Sequence, residues 1–350
     1  MFGFLKSGKE KSIKIDGIET PIQAEKKETI LNAALREGVR FPHSCRVGGC
    51  ASCKCKLKSG KVKELTESAY ILNEEELAQG YILACQAVPK TDVEIELDEL
   101  DLNGPSNPVV KTTGVVSKVK KLTHDISALT IDLNESISYA AGQYALLSVP
   151  GEIEEGRSYS FATVPATGGS SQIEFYIREV PGGQMSTWAQ RDDIQGSVVS
   201  VEGAFGDFYL RDDKSPLLCI AGGSGLAPIK SLLEDALNYK CARDVVFLFG
   251  ARTQADLYGL DEIRRLEMEW ASNFKFIPVL SEEPEDSDWQ GARGFVTTHI
   301  KENILPGSHA YMCGPPPMLD AAEVELLNLG ISSDVVYSDK FIDKSFDKTA

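Results

Sequence analysis

This sequence predicts a chain of three folded parts: a β-rich module, an antiparallel β-barrel or sandwich, and a parallel α/β sheet. Three observations predict it. Four cysteines crowd into eleven residues of an alternating β pattern near the start. Short alternating segments then recur at roughly 8–12-residue spacing, the mark of an antiparallel barrel or sandwich. From Ser215 onward apolar runs alternate with helical patterns, the signature of βαβ units. At 350 residues the chain is also too long for one ordinary core. The expected parts are 1–100, a linker at 101–111, 112–212 and 213–350.

Taken in order, SIKIDGIETPIQA places Asp-Gly between alternating strands, which predicts a hairpin. TILNAAL, from Thr29 to Leu35, has helical spacing, and Gly38 is its stop. After the cysteines come an acidic helix around Asn73–Ala78, Cys85 within a strand-like YILACQAV, and a closing strand, DVEIEL. DELDLNGPSNPVVK, residues 98–111, has two prolines, a glycine and no periodicity, and reads as the linker. The barrel strands are TGVVSKVKKLT, ISALTIDL, QYALLSV, QIEFYIREV and SVVSVEG, ending near Leu210. PLLCIAG, DVVFLFGA and FKFIPVLS are buried parallel strands, separated by IKSLLEDALNY and LDEIRRLEMEW as helices.

Composition narrows the function. With 42% hydrophobic and 25% charged residues the chain has an ordinary globular make-up, and no apolar run is long enough to span a bilayer. MFGFLKSGKEKSIK has the reverse order of a secretory signal, so the expected location is the cytoplasm. Phe2, Phe4 and Leu5 read as a frayed terminus, with a membrane or partner contact as the alternative. Residues 1–100 carry 15 Lys and Arg against 16 Asp and Glu, whereas 101–350 carry 21 against 36. So acidic a body is not expected to bind nucleic acid. Lys54, Lys56, Lys58, Lys61 and Lys63 follow the cysteines. They form either a solvated hairpin or a docking face for an acidic surface.

The cysteine spacing is Cys45-x4-Cys50-x2-Cys53, then a distant Cys85. It matches the plant-type [2Fe–2S] pattern, in which four thiolates hold two bridged iron atoms. In a reducing compartment clustered thiols bind metals or act in redox more often than they form disulfides. Gly48 and Gly49 suit a loop curling round a cluster with its N–H groups aimed at sulfur. Cys55 is left over and reads as a packed thiol. A four-cysteine zinc site normally pairs two CxxC knuckles, and only one is present. A Rieske centre needs two histidines paired with cysteines. His43, His124, His299 and His309 have no such spacing.

Two stretches of the barrel segment suit a flavin dinucleotide, which needs a cation and backbone amides for its pyrophosphate and an aromatic face for its ring. In RSYSFA, Arg157 and Tyr159 alternate on a strand and point one way. In YIREVPGGQMSTW, Gly182 and Gly183 end a strand, and Met185 and Ser186 begin a helix. In PLLCIAGGSGLAPIK, strand leads through Gly222, Gly223 and Gly225 to a helix with Pro228 in its first turn, where backbone can approach a pyrophosphate. Beyond the next strand, Asp256 suits a ribose hydroxyl of NADH and Arg252 the 2′-phosphate of NADPH; the sparse basic charge favours NADH. Cys313, at the end of HAYMCG, reads either as a thiol beside a nicotinamide or as a buried small hydrophobe. Of the later aromatics, Phe341 is preferred to Tyr337 as a cover for the flavin.

Together and in this order, the cysteine motif, RSYS, GGQMS, GGSGLAP and CGPPPM resemble the reductase components of bacterial multicomponent oxygenases, from about residue 12 to Phe341. The resemblance implies a β-grasp ferredoxin, an FAD-binding antiparallel β-barrel and a Rossmann-like NAD domain. It implies that Cys45, Cys50, Cys53 and Cys85 ligate the cluster. Arg157, Tyr159 and Ser160 would hold the flavin, with Ser160 near N5. Arg178, Gly183, Met185 and Ser186 would take the FAD phosphates. Gly223, Gly225 and Pro228 would shape the nicotinamide nucleotide site, with Cys313 and Gly314 beside the nicotinamide and Phe341 near the isoalloxazine. KSFDKTA extends past the usual closing aromatic. The implied activity passes electrons from NADH (or NADPH) through FAD and [2Fe–2S] to a terminal oxygenase or desaturase, with the chain a monomer. The alternatives are a redox sensor, or a reductase for an acceptor such as a deoxysugar dehydratase.

Overall fold

The computed structural model describes residues 10–98, 104, 105, 107 and 109–342. MFGFL, part of the linker and the terminal KSFDKTA lie outside the described residues. The chain divides into two compact units, 1–109 and 110–350.

The first unit is a β-grasp fold. Its strands are β1 (Lys11–Ile15), β2 (Ile22–Ala24), β3 (Lys54–Ser59), β4 (Val62–Glu64), β5 (Tyr81–Leu83), β6 (Ala87–Pro89) and β7 (Val93–Glu96). The main sheet runs β2-β1-β7-β3-β5, with β1 parallel to β7, and β4 pairs with β6 apart from it. The Asp-Gly turn forms, with the Ile18 N–H on the Ile15 carbonyl, but pairing resumes only at Ile22. The loop is wider than a two-residue hairpin because Thr20-Pro21 follows at once, and proline has no N–H for the ladder. Helix α1 (Ile30–Arg36) is capped by the Thr29 side chain, which accepts from the Asn32 N–H. It buries Ile30, Leu31, Ala33 and Ala34 against Ile13, Ile15, Leu83 and Ile95. Helix α2 (Glu74–Ala78) begins with a reciprocal capping box between Asn73 and Glu76.

The second unit starts at Val110. Strands β8 (Val110–Lys121), β9 (Ile126–Ile137), β10 (Tyr144–Val149), β11 (Ile153–Ser160), β12 (Ser170–Arg178) and β13 (Val198–Phe205) form an antiparallel sheet in the order β11-β10-β13-β8-β9-β12. A bridge between Phe161 and Phe175 joins its two edges, so the sheet closes as a barrel. Helix α3 (Gln184–Trp188) follows the turn after β12.

Next come β14 (Leu217–Gly222), α4 (Leu226–Asn238), β15 (Val245–Ala251), α5 (Leu260–Glu269), β16 (Phe274–Leu280), β17 (Ala292–Arg293), α6 (Ile300–Asn303), β18 (His309–Gly314), α7 (Pro316–Asn328) and β19 (Val336–Lys340). The sheet is parallel throughout, ordered β17-β16-β15-β14-β18-β19. All of β14 is buried, as its unbroken LLCIAG run requires of a central strand covered on both faces. Strand order reverses between β14 and β18, and ligands of open α/β sheets bind at the carboxyl ends of such a pair.

Candidate functional site

In the first unit the cysteine loop wraps tightly. Gly48 has φ +83, and a Cβ there would lie 2.8 Å from Gln86 Cγ. Gly49 is not left-handed; Arg46 and Ala51 take positive φ instead, which corrects the expectation that both glycines are needed for the curl. What Gly49 supplies is its N–H, 3.3 Å from Cys45 Sγ. Cys45 N–H reaches Cys50 Sγ at 3.4 Å, Cys85 N–H reaches Cys53 Sγ at 3.5 Å, and the Gln86 amide donates to Cys85 Sγ at 3.5 Å. Cys85 lies in the turn between β5 and β6, not on a strand as the sequence suggests; a turn frees its N–H for sulfur.

The four thiols interact as a group. Hydrogen bonding from Cys45 holds Cys50 down to about 5, and hydrogen bonding from Cys53 lowers Cys85, while Cys45 and Cys53 are pushed up in return. All eight cysteines are unbridged. A convergent set of four thiols with N–H groups aimed at sulfur fits a [2Fe–2S] cluster. His43 is buried in the core with its Nδ1 2.7 Å from the Phe41 carbonyl. Cys55 on β3 is fully buried among Ile82, Leu83 and Ile95, a packed thiol. The lysine row is partly neutralised: Lys54 pairs with Glu76 at 2.6 Å and Lys58 with Glu96 at 2.8 Å.

In the second unit, Gly222, Gly225 and Gly314 pack backbone against backbone at the strand reversal. A Cβ on Gly225 would sit 2.2 Å from the Cys313 carbonyl oxygen, so only glycine lets α4 start there. Gly223 opens a 3-10 turn leading into α4, and Pro228 occupies the first turn, where its missing N–H costs nothing. Cys313 is fully buried; burial and then the Asp339 carboxylate push its thiol well above the usual range, so it stays neutral. Asp339 lies in register with Cys313 on neighbouring β19, and Ser160 Oγ donates to Asp339 Oδ2 at 3.4 Å. Ser160 and Cys313 thus meet at Asp339, with Phe341 one turn of chain away, its N–H on the Gly314 carbonyl at 3.0 Å. Tyr337 instead stacks on Tyr311 and lies under the Arg211 guanidinium.

The remaining flavin candidates split. Tyr159 is half-buried against the barrel core, and Arg157 folds back onto Glu155 and Gly156 of its own strand. Gly182 and Gly183 form a turn beyond β12 rather than ending it. The Ser186 hydroxyl accepts from the Val180 N–H and donates to the Gly183 carbonyl, so it shapes that turn; Met185 is buried beneath. A shallow cavity opens beside them, lined by Ile153, Gly183, Thr187 and Trp188. Arg178 is drawn the other way: its Nε binds Asp125 at 3.0 Å, and its Nη1 lies 3.6 Å from where a Gly223 Cβ would be. Arg252 and Asp256, read from the sequence as rival ribose groups, bind each other at 2.7 Å.

Two participants left no readable trace, and a third left a single one. Asp339 sits on an edge strand among ordinary polar residues, and Asp125 in a short THD loop. Lys230 is buried on α4 and donates to the Ala162 carbonyl at 3.1 Å, just past RSYSF, while Ser231 beside it donates to Thr163. A lysine on the buried face of a predicted amphipathic helix was the one signal available.

Fold and site define an iron–sulfur flavoprotein oxidoreductase of the ferredoxin-reductase class. Residues 13–90 match the 2Fe-2S iron-sulfur cluster binding domain, 113–209 the oxidoreductase FAD-binding domain and 219–323 the oxidoreductase NAD-binding domain. The chain is 42% identical to the xylene/toluene monooxygenase electron transfer component of Pseudomonas putida over 96% of its own length and 95% of the relative's. It is 35% identical to the phenol 2-monooxygenase reductase component of Pseudomonas sp. (strain CF600), over 91% of each. The crystal structure of an Amycolatopsis cytochrome P450 reductase superposes with a TM-score of 0.84 at 33% identity, covering 95% of this chain and 98% of that one. The chain belongs to the family of reductase components of bacterial multicomponent oxygenases. It is a nicotinamide-nucleotide-dependent electron-transfer reductase carrying FAD and a [2Fe–2S] cluster. When bound, FAD accepts a hydride's two electrons and releases them singly, which is the form a cluster takes.

Proposed function

We propose that the chain reduces the terminal component of a hydrocarbon monooxygenase, working as a monomer in the cytoplasm and drawing on NADH rather than NADPH. The observation that carries this is its 42% identity to the xylene/toluene monooxygenase electron transfer component across almost the whole of both chains. In this reading Cys45, Cys50, Cys53 and Cys85 ligate the cluster. Arg157, Tyr159, Ser160, Gly183, Met185 and Ser186 bind FAD, and Gly223, Gly225, Pro228 and Gly314 receive the nicotinamide nucleotide. Arg178 is assigned to the pyridine-nucleotide side rather than to the FAD phosphates, because its guanidinium turns toward Gly223. Ser160, Cys313, Asp339 and Phe341 surround the place of hydride transfer, where a buried neutral thiol helps to exclude water and the Asp339 carboxylate is engaged by the Ser160 hydroxyl.

Two measurements test it. Anaerobic NADH should bleach the flavin band and then the cluster band of the purified protein. Bleaching of flavin alone would point instead to a redox sensor. Adding a hydrocarbon-oxidising terminal component should couple NADH oxidation to hydroxylated product; efficient cytochrome c reduction with no product from any such component would refute the assigned acceptor.

A further inference from the structure

Arg252 stands immediately after β15, the strand beside the glycine-loop strand, and the carboxyl end of that strand is where an adenosine ribose lies in this topology. A lone arginine there would favour a 2′-phosphate. This one is already occupied. Its Nη2 binds Asp256 Oδ1 at 2.7 Å and Asp125 Oδ2 at 3.0 Å. Asp256 is a neighbour on the same turn, but Asp125 comes from the barrel, 127 residues away.

Both carboxylates are fixed before any ligand arrives. Asp125 Oδ1 accepts from the Thr123 hydroxyl at 2.9 Å and its Oδ2 also binds Arg178. Asp256 Oδ2 accepts from the Thr253 N–H and hydroxyl at 3.0 Å each. Two arginines and two aspartates leave the group neutral. Around it the charge is acidic: Gln254, two residues on, is held by Glu283 at 2.8 Å and by Asp288 at 2.9 Å. His124 lies 3.4 Å from Asp256, so a histidine and two aspartates converge here, but the cation among them is Arg252.

We propose that Asp125, a residue of the flavin-binding barrel, determines coenzyme choice by locking Arg252 away from the adenosine 2′-phosphate of NADPH. A 2′-phosphate would have to break two charge-assisted hydrogen bonds to claim the guanidinium, and would place its charge beside Glu283 and Asp288. A ribose hydroxyl asks for neither, and can donate to a carboxylate already in place. The inference rests on the NADH reading above and adds its cause.

The test uses the full chain with FAD and cluster bound. Turnover with NADPH and NADH is compared as the ratio of kcat/KM, and binding of adenosine 2′,5′-bisphosphate against AMP is measured by calorimetry. Wild type should favour NADH. Asp125→Asn should raise the NADPH:NADH ratio and the relative bisphosphate affinity by about tenfold, the worth of one charge-assisted hydrogen bond. Adding Arg252→Leu should erase both gains. If Asp125→Asn disturbs nucleotide binding through Arg178, Asp256→Asn, which leaves the Arg178–Asp125 pair in place, carries the same prediction. Unchanged ratios and affinities in an FAD-replete variant, or a gain that survives Arg252→Leu, would overturn the inference. A wild type that uses NADPH as readily as NADH would refute the NADH reading itself.

Discussion

Cys55 and Cys85 are both buried, yet only one is placed to serve the cluster, because only Cys85 offers its sulfur to the loop that holds the other three. Cys85→Ser should therefore abolish the cluster's visible absorbance and its reduced-state electron paramagnetic resonance signal. Cys55→Ala should keep both and lower stability by about 1 kcal/mol, the loss of one small buried side chain, seen as a shift in denaturant midpoint. In the second unit, Gly225→Ala drives a Cβ into the Cys313 carbonyl. Stopped-flow flavin reduction by NADH should fall by about a hundredfold or more, a 1 Å displacement at a reacting pair costing that much. The aspartates on Arg252 set a pH response. For Asp125 and Asp256 burial opposes ionisation, but the threonine and arginine hydrogen bonds outweigh it and hold both carboxyls below their usual 3.8. A depressed folded value means the stabilisation is complete above the unfolded value and drains away as pH falls through the folded one. The melting-temperature gap between wild type and an Asp125→Asn, Asp256→Asn double variant should be full at about pH 6 and shrink below about pH 4. The iron–sulfur domain was readable because coordination fixes both the identity and the spacing of cysteines. The arginine lock was not, since its halves lie 127 residues apart and an ion pair leaves no periodic mark.

At the level of single elements, periodicity and caps carried most of the reading. The helix after Thr29, the capped turn at Asn73 and the buried run of β14 fell where hydrophobic spacing put them, because each is specified by residues close in sequence. What misled was local geometry decided by neighbours. Cys85 looks strand-like in YILACQAV, but the turn around it is set by the sulfurs it must face. Strand β3 shows the same dependence. Its lysines look like a free basic row until Glu76 of α2 and Glu96 of β7 are placed beside them. Lys58→Gln should thus change the salt dependence of electron transfer to an acidic acceptor very little, since Glu96 already sets an opposite charge against this lysine. A steep loss at low ionic strength, read as the rate against salt concentration, would return that lysine to the docking face.

For the molecule as a whole, the division at Val110 separates the one-electron module from the hydride-handling one. Residues 110–350 alone should hold FAD and reduce ferricyanide with NADH, while losing cytochrome c reduction that depends on the cluster; loss of FAD from that fragment would show the two units to be one. Within this larger unit, Ser160 waits for a partner made much later. Asp339 lies 179 residues downstream on β19, beside β18 at the edge of the parallel sheet. The last barrel strand ends at Phe205, so a ribosome adding about 5–20 residues each second leaves the barrel finished for roughly seven to twenty-seven seconds before that carboxylate exists. Throughout that interval the Ser160 hydroxyl lacks its carboxylate, so the hydrogen bond that ties RSYS to the parallel sheet is among the last contacts of this unit to form.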